Sequence, residues 1–225
     1  MSSNDSQIQA KQLLKDSLTY AAPIYVPMLT FFIPGFVISL LGLGMTPGAA
    51  VLVSLINVLG IFPFITGAAI FYAHQNLTNR GSTIPDSLQA AGERFSQLVL
   101  LTFIFYVAIF AGLILLIIPG LYLSIRLSFV YYALMIERRS AFDSLSRSWQ
   151  LTQGHWWKLF WIFLVFFIAV FIPACILIIL FVSIDPGGAE IGGSLFVLLL
   201  GPITSVYYVL LFMSFVNLAN DDEAT

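Results

Sequence analysis

Residues 97–136 read QLVLLTFIFYVAIFAGLILLIIPGLYLSIRLSFVYYALMI, and Arg126 is the only charged side chain among them. A helix needs about 20 mostly apolar residues to cross the hydrocarbon core of a bilayer, so this run is long enough for two crossings. Proline followed by glycine interrupts it at Pro119 and Gly120, which favours a tight turn at residues 118–120. The pattern predicts a helical hairpin with spans at 97–117 and 118–136.

The rest of the chain has the same character. Hydrophobic residues make up 60% of the 225 residues and charged residues 9%, with a mean hydropathy of +0.98. Soluble domains are typically about 45–50% apolar and about 25% charged. We therefore predict an all-α, polytopic integral membrane protein with one membrane domain over residues 21–217. Its six transmembrane helices, arranged as three hairpins, are predicted at about 21–44, 49–73, 97–117, 118–136, 158–183 and 194–217.

The basic residues fall on one side of these spans. Eight of the nine lie in three polar stretches, and the alternate gaps between spans contain none. Because cytoplasmic loops are enriched in Lys and Arg, the N-terminal tail 1–20 and the acidic tail 218–225 are both predicted to be cytoplasmic. The first apolar segment is longer than the core of a signal peptide, so we expect a retained span. The expected location is a plasma membrane, with an internal membrane such as a thylakoid as the alternative.

The tripeptide Asp-Ser-Leu occurs three times, beginning at Asp16, Asp86 and Asp143, each time before an odd-numbered span. Such recurrence indicates an internal repeat. The predicted unit is a surface helix followed by a helical hairpin, used three times.

Two of these copies carry a signal for the start of a helix. Thr83 with Asp86, and Ser140 with Asp143, have the spacing of a capping box, in which a hydroxyl accepts from the third helical amide and the acid reaches back. We predict amphipathic helices on the inner membrane surface at about 83–96 and 140–154. The tail would hold a third such helix near residues 11–19.

Residues 137–158 hold most of the candidate functional side chains. Basic residues near a membrane surface attract anionic headgroups by about 1 kcal/mol each. Gly154 is placed to end the surface helix, and the tryptophans and lysine after it suit the headgroup region. The predicted lipid- or partner-binding residues are Arg126, Glu137, Arg138, Arg139, Arg147, Trp149, Trp156, Trp157 and Lys158. The alternative role of this stretch is topology and anchoring alone.

Arg126 is the one basic residue inside a span. A charge at mid-membrane costs about 2.5–3.5 kcal/mol on insertion scales. We therefore expect Arg126 to snorkel or to pair with carbonyls, or else to bind a substrate or lipid phosphate beside Tyr122. Prolines also interrupt several spans, at Pro27, Pro34, Pro63, Pro173 and Pro202. They suit packing kinks, although transporters use broken helices to expose backbone groups to a solute.

Sequence signatures of catalysis and metal binding are missing. The single cysteine, Cys175, lies in an apolar run, and the two histidines, His74 and His155, are separated by two spans. His-Glu-x-x-His, Gly-x-Ser-x-Gly and Cys-x-x-Cys do not occur. We expect no cofactor, no metal and no enzymatic activity. Membrane lipids, with anionic headgroups, are the expected partners, and nothing in the charge pattern suggests nucleic acid.

Part of the chain resembles a known family. Pro119-Gly120-Leu121-Tyr122, Arg126, Glu137 and the run DSLSRSWQLTQGHWW at 143–157 resemble the membrane-domain family of glycerophosphodiester phosphodiesterases over about 40 residues. That family includes stand-alone bacterial inner-membrane proteins without the phosphodiesterase domain, and this chain looks like one of those. The resemblance implies a polytopic membrane fold. It implies no phosphodiesterase activity, because the six spans leave no room for the catalytic barrel.

Two functions remain open. The first is non-enzymatic: a scaffold, assembly factor or lipid-organising module whose surface helices engage lipid headgroups or a membrane-protein partner. The alternative is a small transporter or flippase-like carrier of a lipid or amphiphilic solute, in which kinked helices open a path past Arg126.

Overall fold

The computed structural model describes residues 3–42, 45–115, 117–184 and 188–223. Within these ranges the chain is helical apart from short connections, and it has no β-strand. The α-helices are α1 (Ser3–Ala21), α2 (Tyr25–Gly42), α3 (Pro47–Ile56), α4 (Phe62–Leu77), α5 (Ile84–Glu93), α6 (Phe95–Leu115), α7 (Ile117–Arg126), α8 (Val130–Ile136), α9 (Ala141–Thr152), α10 (Trp156–Ile184) and α11 (Gly188–Glu223). A 3-10 turn, Ala22–Ile24, joins α1 to α2, and a π-helical turn, Asn57–Ile61, joins α3 to α4.

The prediction of an all-α polytopic membrane protein is confirmed. In the described ranges, six segments are long and apolar enough to cross a membrane: Lys11–Gly42, Gly48–Leu77, Phe95–Gly112, Ile118–Ile136, Trp156–Ile184 and Ala189–Asn220. Each overlaps one predicted span. Helical structure extends further into both tails than predicted, because α1 begins at Ser3 and α11 continues to Glu223.

The fourth span is two helices, whereas the sequence predicted one span over 118–136. Three residues in a turn conformation separate the end of α7 at Arg126 from the start of α8 at Val130. The hydroxyl of Ser148 on α9 donates to the carbonyl of Arg126 at 2.7 Å and accepts from the amide of Phe129 at 3.1 Å. A side chain inserted into the helical ladder is a known cause of a sharp kink. Helix α9 therefore satisfies backbone groups that the interruption leaves free.

Pro119 and Gly120 do not form the predicted turn. Both lie in the first turn of α7, and residue 116, between α6 and α7, is outside the described ranges. Proline is tolerated in a first turn because the amides there have no helical partner. Gly120 serves the contact between the two helices, since a Cβ added to Gly112 would lie 2.7 Å from the Cα of Gly120. Small residues permit this close approach of α6 and α7.

The prolines inside the spans do not break them. Pro34, Pro173 and Pro202 each lie within a continuous α-helix. Pro63 follows the π-helical turn, where the amide of Phe62 donates to the carbonyl of Asn57. A wider turn accommodates the ring and the missing N–H of proline. The interruption at residues 127–129 contains no proline.

Helices α5 and α9 begin where the capping signals predicted. The Thr83 hydroxyl accepts from the amide of Asp86 at 3.4 Å, and Asp86 accepts from the amide of Thr83 at 3.0 Å. The Ser140 hydroxyl accepts from the amide of Asp143 at 3.2 Å, but Asp143 accepts from that hydroxyl, at 2.6 Å, and not from the Ser140 amide. The capping box is thus complete at α5 and half-formed at α9.

The three Asp-Ser-Leu copies occupy equivalent places. Their serines are fully buried, and each donates to a carbonyl three or four residues earlier: Ser17, Ser87 and Ser144. Four positions later each copy has a second buried small residue: Ala21, Ala91 and Ser148. Helix α5 packs on α4, α9 packs on α8, and α1 packs on α10 and α11. Each short helix thus covers the hairpin before it in the chain, and α1 covers the last.

The buried core lies at the end of the bundle where α1, α5 and α9 pack, here called the basic end. Fully buried aromatic residues there include Phe129, Phe212 and Phe215. Toward the opposite end large apolar side chains face outward, with Ile176 63% exposed and Ile184 77% exposed. An apolar belt of this kind suits contact with lipid chains.

Candidate functional site

The connection between α8 and α9 is held by an arginine from another repeat unit. Arg94 lies at the C-terminal cap of α5 and donates to the carbonyl of Arg139 at 2.9 Å and to that of Arg138 at 3.0 Å. The planar guanidinium makes both bonds at once, which an ammonium group cannot do with fixed geometry. Arg138 has φ = +55°, an uncommon conformation for a residue other than glycine. Arg94 therefore braces a strained connection.

Glu137 begins this connection and accepts from two more arginines. Nε of Arg147 lies 3.1 Å from both of its carboxylate oxygens, and Nε of Arg139 pairs with Oε2. The side chains of Glu137 and Arg147 are only 18% and 14% exposed. Arg94, Glu137, Arg138, Arg139 and Arg147 are called the arginine cluster below. The sequence analysis included all of its members except Arg94, which is distant from the others in the chain.

The members of the arginine cluster carry an excess of positive charge, because they are four arginines and one glutamate. Among the described residues, Glu137 pairs with Arg139 and Arg147, and Glu93 lies near Arg94. Burial lowers the pKa of Arg94, and the positive charge of Arg138 lowers it further. Arg138 and Arg139 are exposed, and the guanidinium of Arg138 makes no ion pair with any side chain that the structure describes. Free guanidinium donors of this kind match the oxygens of a phosphate.

Arg126 forms a second cluster with Tyr122 and Trp149, called the aromatic group below. Its Nε donates to the hydroxyl of Tyr122 at 2.9 Å, and its Nη1 lies 3.4 Å from the carbonyl of Trp149 and 3.3 Å from the hydroxyl of Thr152. The guanidinium is also 5.1 Å from the ring centroid of Tyr122 and 4.8 Å from that of Trp149, both cation–π distances. The C-terminus of α9 supplies partial negative charge. Arg126 is thus paired with protein groups, and binding of a substrate there remains a prediction.

Trp156 and Trp157 extend the aromatic group. Trp156 stacks on Tyr122 at 6.0 Å and on Phe160 at 5.4 Å between ring centroids. Its indole nitrogen is buried and has no hydrogen-bond partner among the described residues. Trp157 lies edge-on to Trp156 at 4.7 Å and is 69% exposed. Of the predicted tryptophans, Trp157 therefore offers the largest surface to lipid.

Lys158 is not part of the exposed basic surface that the sequence predicted. It is 9% exposed, and its ammonium group lies 5.3 Å from the ring centroid of Phe215. The reason is its register in the repeat. Lys158 stands fourteen residues after Ser144, as Phe31 and Leu101 stand after their own repeat serines. All three residues are buried, so this position faces the core.

The predicted capping residues fix where α5 and α9 begin and end, and so fix the positions of Arg94 and Trp149. Asp86 accepts hydrogen bonds from the hydroxyl and from the amide of Thr83. These bonds, the hydroxyl's more than the amide's, hold the pKa of Asp86 below its usual value. Gly154 has φ = +76°, a region that favours glycine, and it ends α9 before the first residue of α10. The caps thus determine the position of Arg94 at the end of α5 and of Trp149 on α9.

A cavity of about 780 Å³ lies beside the aromatic group, between α4, α6, α7, α8, α10 and α11. Aromatic and aliphatic side chains and seven hydroxyl-bearing residues line it, and among the described residues none of the lining side chains is charged. Leu127 and Ser128, from the interruption of the fourth span, are part of the wall. The sequence analysis missed this site. Its available signal was the recurrence of hydroxyls at Ser124, Ser128, Tyr131 and Tyr132 in an apolar span.

No group of three His, Cys, Asp or Glu side chains in the described part of the chain could hold a metal ion.

Comparisons with protein-family models, curated proteins and solved structures found no match to this chain. The resemblance to the membrane-domain family thus remains a prediction from the sequence.

Proposed function

We propose that this protein is a non-enzymatic, lipid-organising membrane module that gathers anionic headgroups at its basic end. The observation that carries the proposal is the convergence of four arginines from two repeat units at one connection. Arg139 and Arg147 pair with Glu137 there, and Arg94 donates to the backbone carbonyls of Arg138 and Arg139. In this proposal the basic end faces the cytoplasm of a bacterium, as the distribution of Lys and Arg suggests.

The geometry of the arginine cluster supports a role in binding. Arg94 and Glu137 make the internal contacts, so the exposed Arg138 and Arg139 are presented from a braced backbone. A backbone that is held before binding loses less conformational entropy when an anion arrives. The surrounding charge adds a general attraction of about 1 kcal/mol for each basic residue near an anionic surface.

The test is native mass spectrometry of the protein released from bilayers containing equal amounts of phosphatidylglycerol and phosphatidylcholine. We expect the wild type to retain phosphatidylglycerol preferentially. The double variant Arg138→Glu with Arg139→Glu should reduce that preference by roughly tenfold or more, given about 1 kcal/mol per charge. Arg80→Glu is the matched control, because Arg80 is an exposed arginine in the connection before α5.

Equal lipid retention in the double variant and the Arg80→Glu control would refute the lipid proposal. If the protein purified from its own membrane instead keeps a stoichiometric protein partner, and the double variant loses that partner, the arginine cluster is a scaffold surface for protein.

A carrier function is the second candidate, and one observation favours it. The interruption at residues 127–129 contributes two residues to the wall of a large apolar cavity. Broken membrane helices at a binding cavity are typical of transporters. In proteoliposomes a carrier would move a fluorescent lipid between leaflets, and Arg126→Ala would abolish the movement while the protein stays folded. A module that only organises lipid would give no movement above that of protein-free liposomes.

A further inference from the structure

The cavity between α4, α6, α7, α8, α10 and α11 has the properties of a ligand site. Its volume of about 780 Å³ is within the range of roughly 300–1,000 Å³ that small-molecule sites occupy. Binding sites of this kind are mostly apolar with a few polar groups that orient the ligand. The described lining has this composition, because its hydroxyls are set among aromatic and aliphatic side chains.

Tyr132 is the polar group that points to a ligand. It lines the cavity, it is only 8% exposed, and its ring is stacked against Tyr208 at 6.2 Å and Phe212 at 5.9 Å. Its hydroxyl makes no hydrogen bond with the part of the chain that the structure describes, and it is not one of the fully buried unpartnered atoms there, so a ligand in the cavity can reach it.

Tyr131 and Tyr207 do not share this property. The hydroxyl of Tyr131 pairs with the hydroxyl of Thr102 at 2.9 Å. The hydroxyl of Tyr207 lies 3.5 Å from the carbonyl of Ile162, and Tyr207 is not part of the cavity wall. Tyr208, which is stacked on Tyr132 and also lines the cavity, likewise has no hydrogen-bond partner for its hydroxyl among described residues. The hydroxyls of Tyr132 and Tyr208, which are on stacked rings in the wall, are thus both available to a ligand.

The lining also indicates the charge of the ligand group. Because no Lys or Arg is among the described lining residues, a phosphate or a carboxylate would enter without a counter-ion, which is costly in an apolar site. A neutral acceptor such as an ester carbonyl needs only the hydroxyl donors.

We propose that the cavity binds an acyl chain of an ester lipid, with the ester carbonyl accepting a hydrogen bond from Tyr132 and Tyr208 beside it. Such a ligand is supplied by the surrounding bilayer. The carrier candidate uses the same cavity, but occupancy requires no contact with the arginine cluster and no movement across the membrane. This binding therefore goes beyond the lipid-organising function and does not depend on the carrier function.

The experiment compares two phosphatidylcholine probes of equal chain length, one ester-linked and one ether-linked. Each is added to delipidated protein in detergent, and bound lipid is counted by native mass spectrometry. A phosphocholine headgroup is used because it has no net charge to engage the arginine cluster. We expect the wild type to retain the ester probe about threefold to tenfold better than the ether probe, the effect of one net hydrogen bond.

Tyr132→Phe keeps the ring and removes the hydroxyl, so the ester preference should disappear while binding of the ether probe is unchanged. Tyr207→Phe is the matched control, and it should keep the preference. Ser124→Phe places a ring in the cavity and should reduce binding of both probes. Its folding is checked by circular dichroism and gel filtration.

Two results would overturn the proposal. One is equal retention of the ester and ether probes by the wild type. The other is undiminished ester preference in Tyr132→Phe, a variant that is nearly isosteric and is expected to fold. If fatty acid alone is retained after purification from the native membrane, the carboxylic acid replaces the ester as the ligand and the stated proposal is wrong.

Discussion

Helices α5 and α9 are two copies of one motif with different effects on the helix beneath them. Both follow an N-terminal cap and both bury a serine from the Asp-Ser-Leu tripeptide. Four residues after that serine, α5 has Ala91 and α9 has Ser148, and both are fully buried. Helix α4 under α5 is continuous, whereas the span under α9 is interrupted between α7 and α8. The hydroxyl of Ser148, which Ala91 lacks, is hydrogen-bonded to the backbone on both sides of this interruption.

Ser148→Ala should have the largest effect. It leaves the partly buried carbonyl of Arg126 and the buried amide of Phe129 without their partner, and each such loss costs about 1–3 kcal/mol. We expect the free energy of unfolding to fall by about 2–4 kcal/mol. Unfolding by SDS in mixed micelles measures the change. Ser144→Ala is the control, because Ser144 bonds only to a carbonyl of its own helical turn. Equal losses in the two variants would rule out a special role for Ser148.

Ala91→Ser is the reciprocal change. The added hydroxyl has no interruption to satisfy in α4 and must fit at a fully buried contact, so we expect a loss of about 1–2 kcal/mol from overpacking. Helix α4 should stay continuous. Hydrogen exchange of its amides measures this, and new fast-exchanging amides in the middle of α4 would show that the hydroxyl alone can break a helix.

The two N-caps should differ in strength. Thr83→Ala removes a complete capping box and should cost about 1 kcal/mol, whereas Ser140→Ala removes a half-formed one and should cost less. The same SDS titration can compare them. A larger loss for Ser140→Ala would mean that the α9 cap also supports the arginine cluster, since Ser140 adjoins Arg139.

Glu137→Gln separates stability from binding. Replacing the carboxylate by an amide should reduce stability by roughly 0.5–1 kcal/mol, because the amide oxygen can still accept a hydrogen bond from Arg147 while the charge assistance is lost. Removing one negative charge should at the same time increase retention of phosphatidylglycerol. Reduced retention would indicate that Glu137 holds the arginines in their binding geometry.

The smallest expected effect is the pH dependence of the α5 cap. The pKa of Asp86 is lowered in the folded protein by the hydrogen bonds from Thr83. The cap therefore contributes stability above the unfolded pKa of about 4, and this contribution is lost as pH falls through the folded value. Exchange of the first α5 amides should accelerate in that acidic range in the wild type. Thr83→Ala should lack this acceleration.

Short-range patterns accounted for the topology and for the start of both capped helices. The six spans follow from the length of apolar runs, and the starts of α5 and α9 follow from hydroxyls and acids three residues apart. The same reasoning placed the turn wrongly at Pro119 and Gly120, because proline suits the first turn of a helix as well as a tight turn. It also grouped Lys158 with the arginines, because closeness in sequence does not reveal which face of the repeat a side chain occupies.

The sequence by itself determined the membrane class, the number of spans, the side on which the basic residues collect and the two capped helix starts. These properties depend on the solvent preference of a segment or on neighbours within one helical turn. Tertiary structure alone decided the interruption at residues 127–129, the arrival of Arg94 in the arginine cluster, the burial of Lys158 and the cavity around Tyr132. Each of these depends on groups from helices that are distant in the chain, and only packing brings those groups within hydrogen-bond or van der Waals distance.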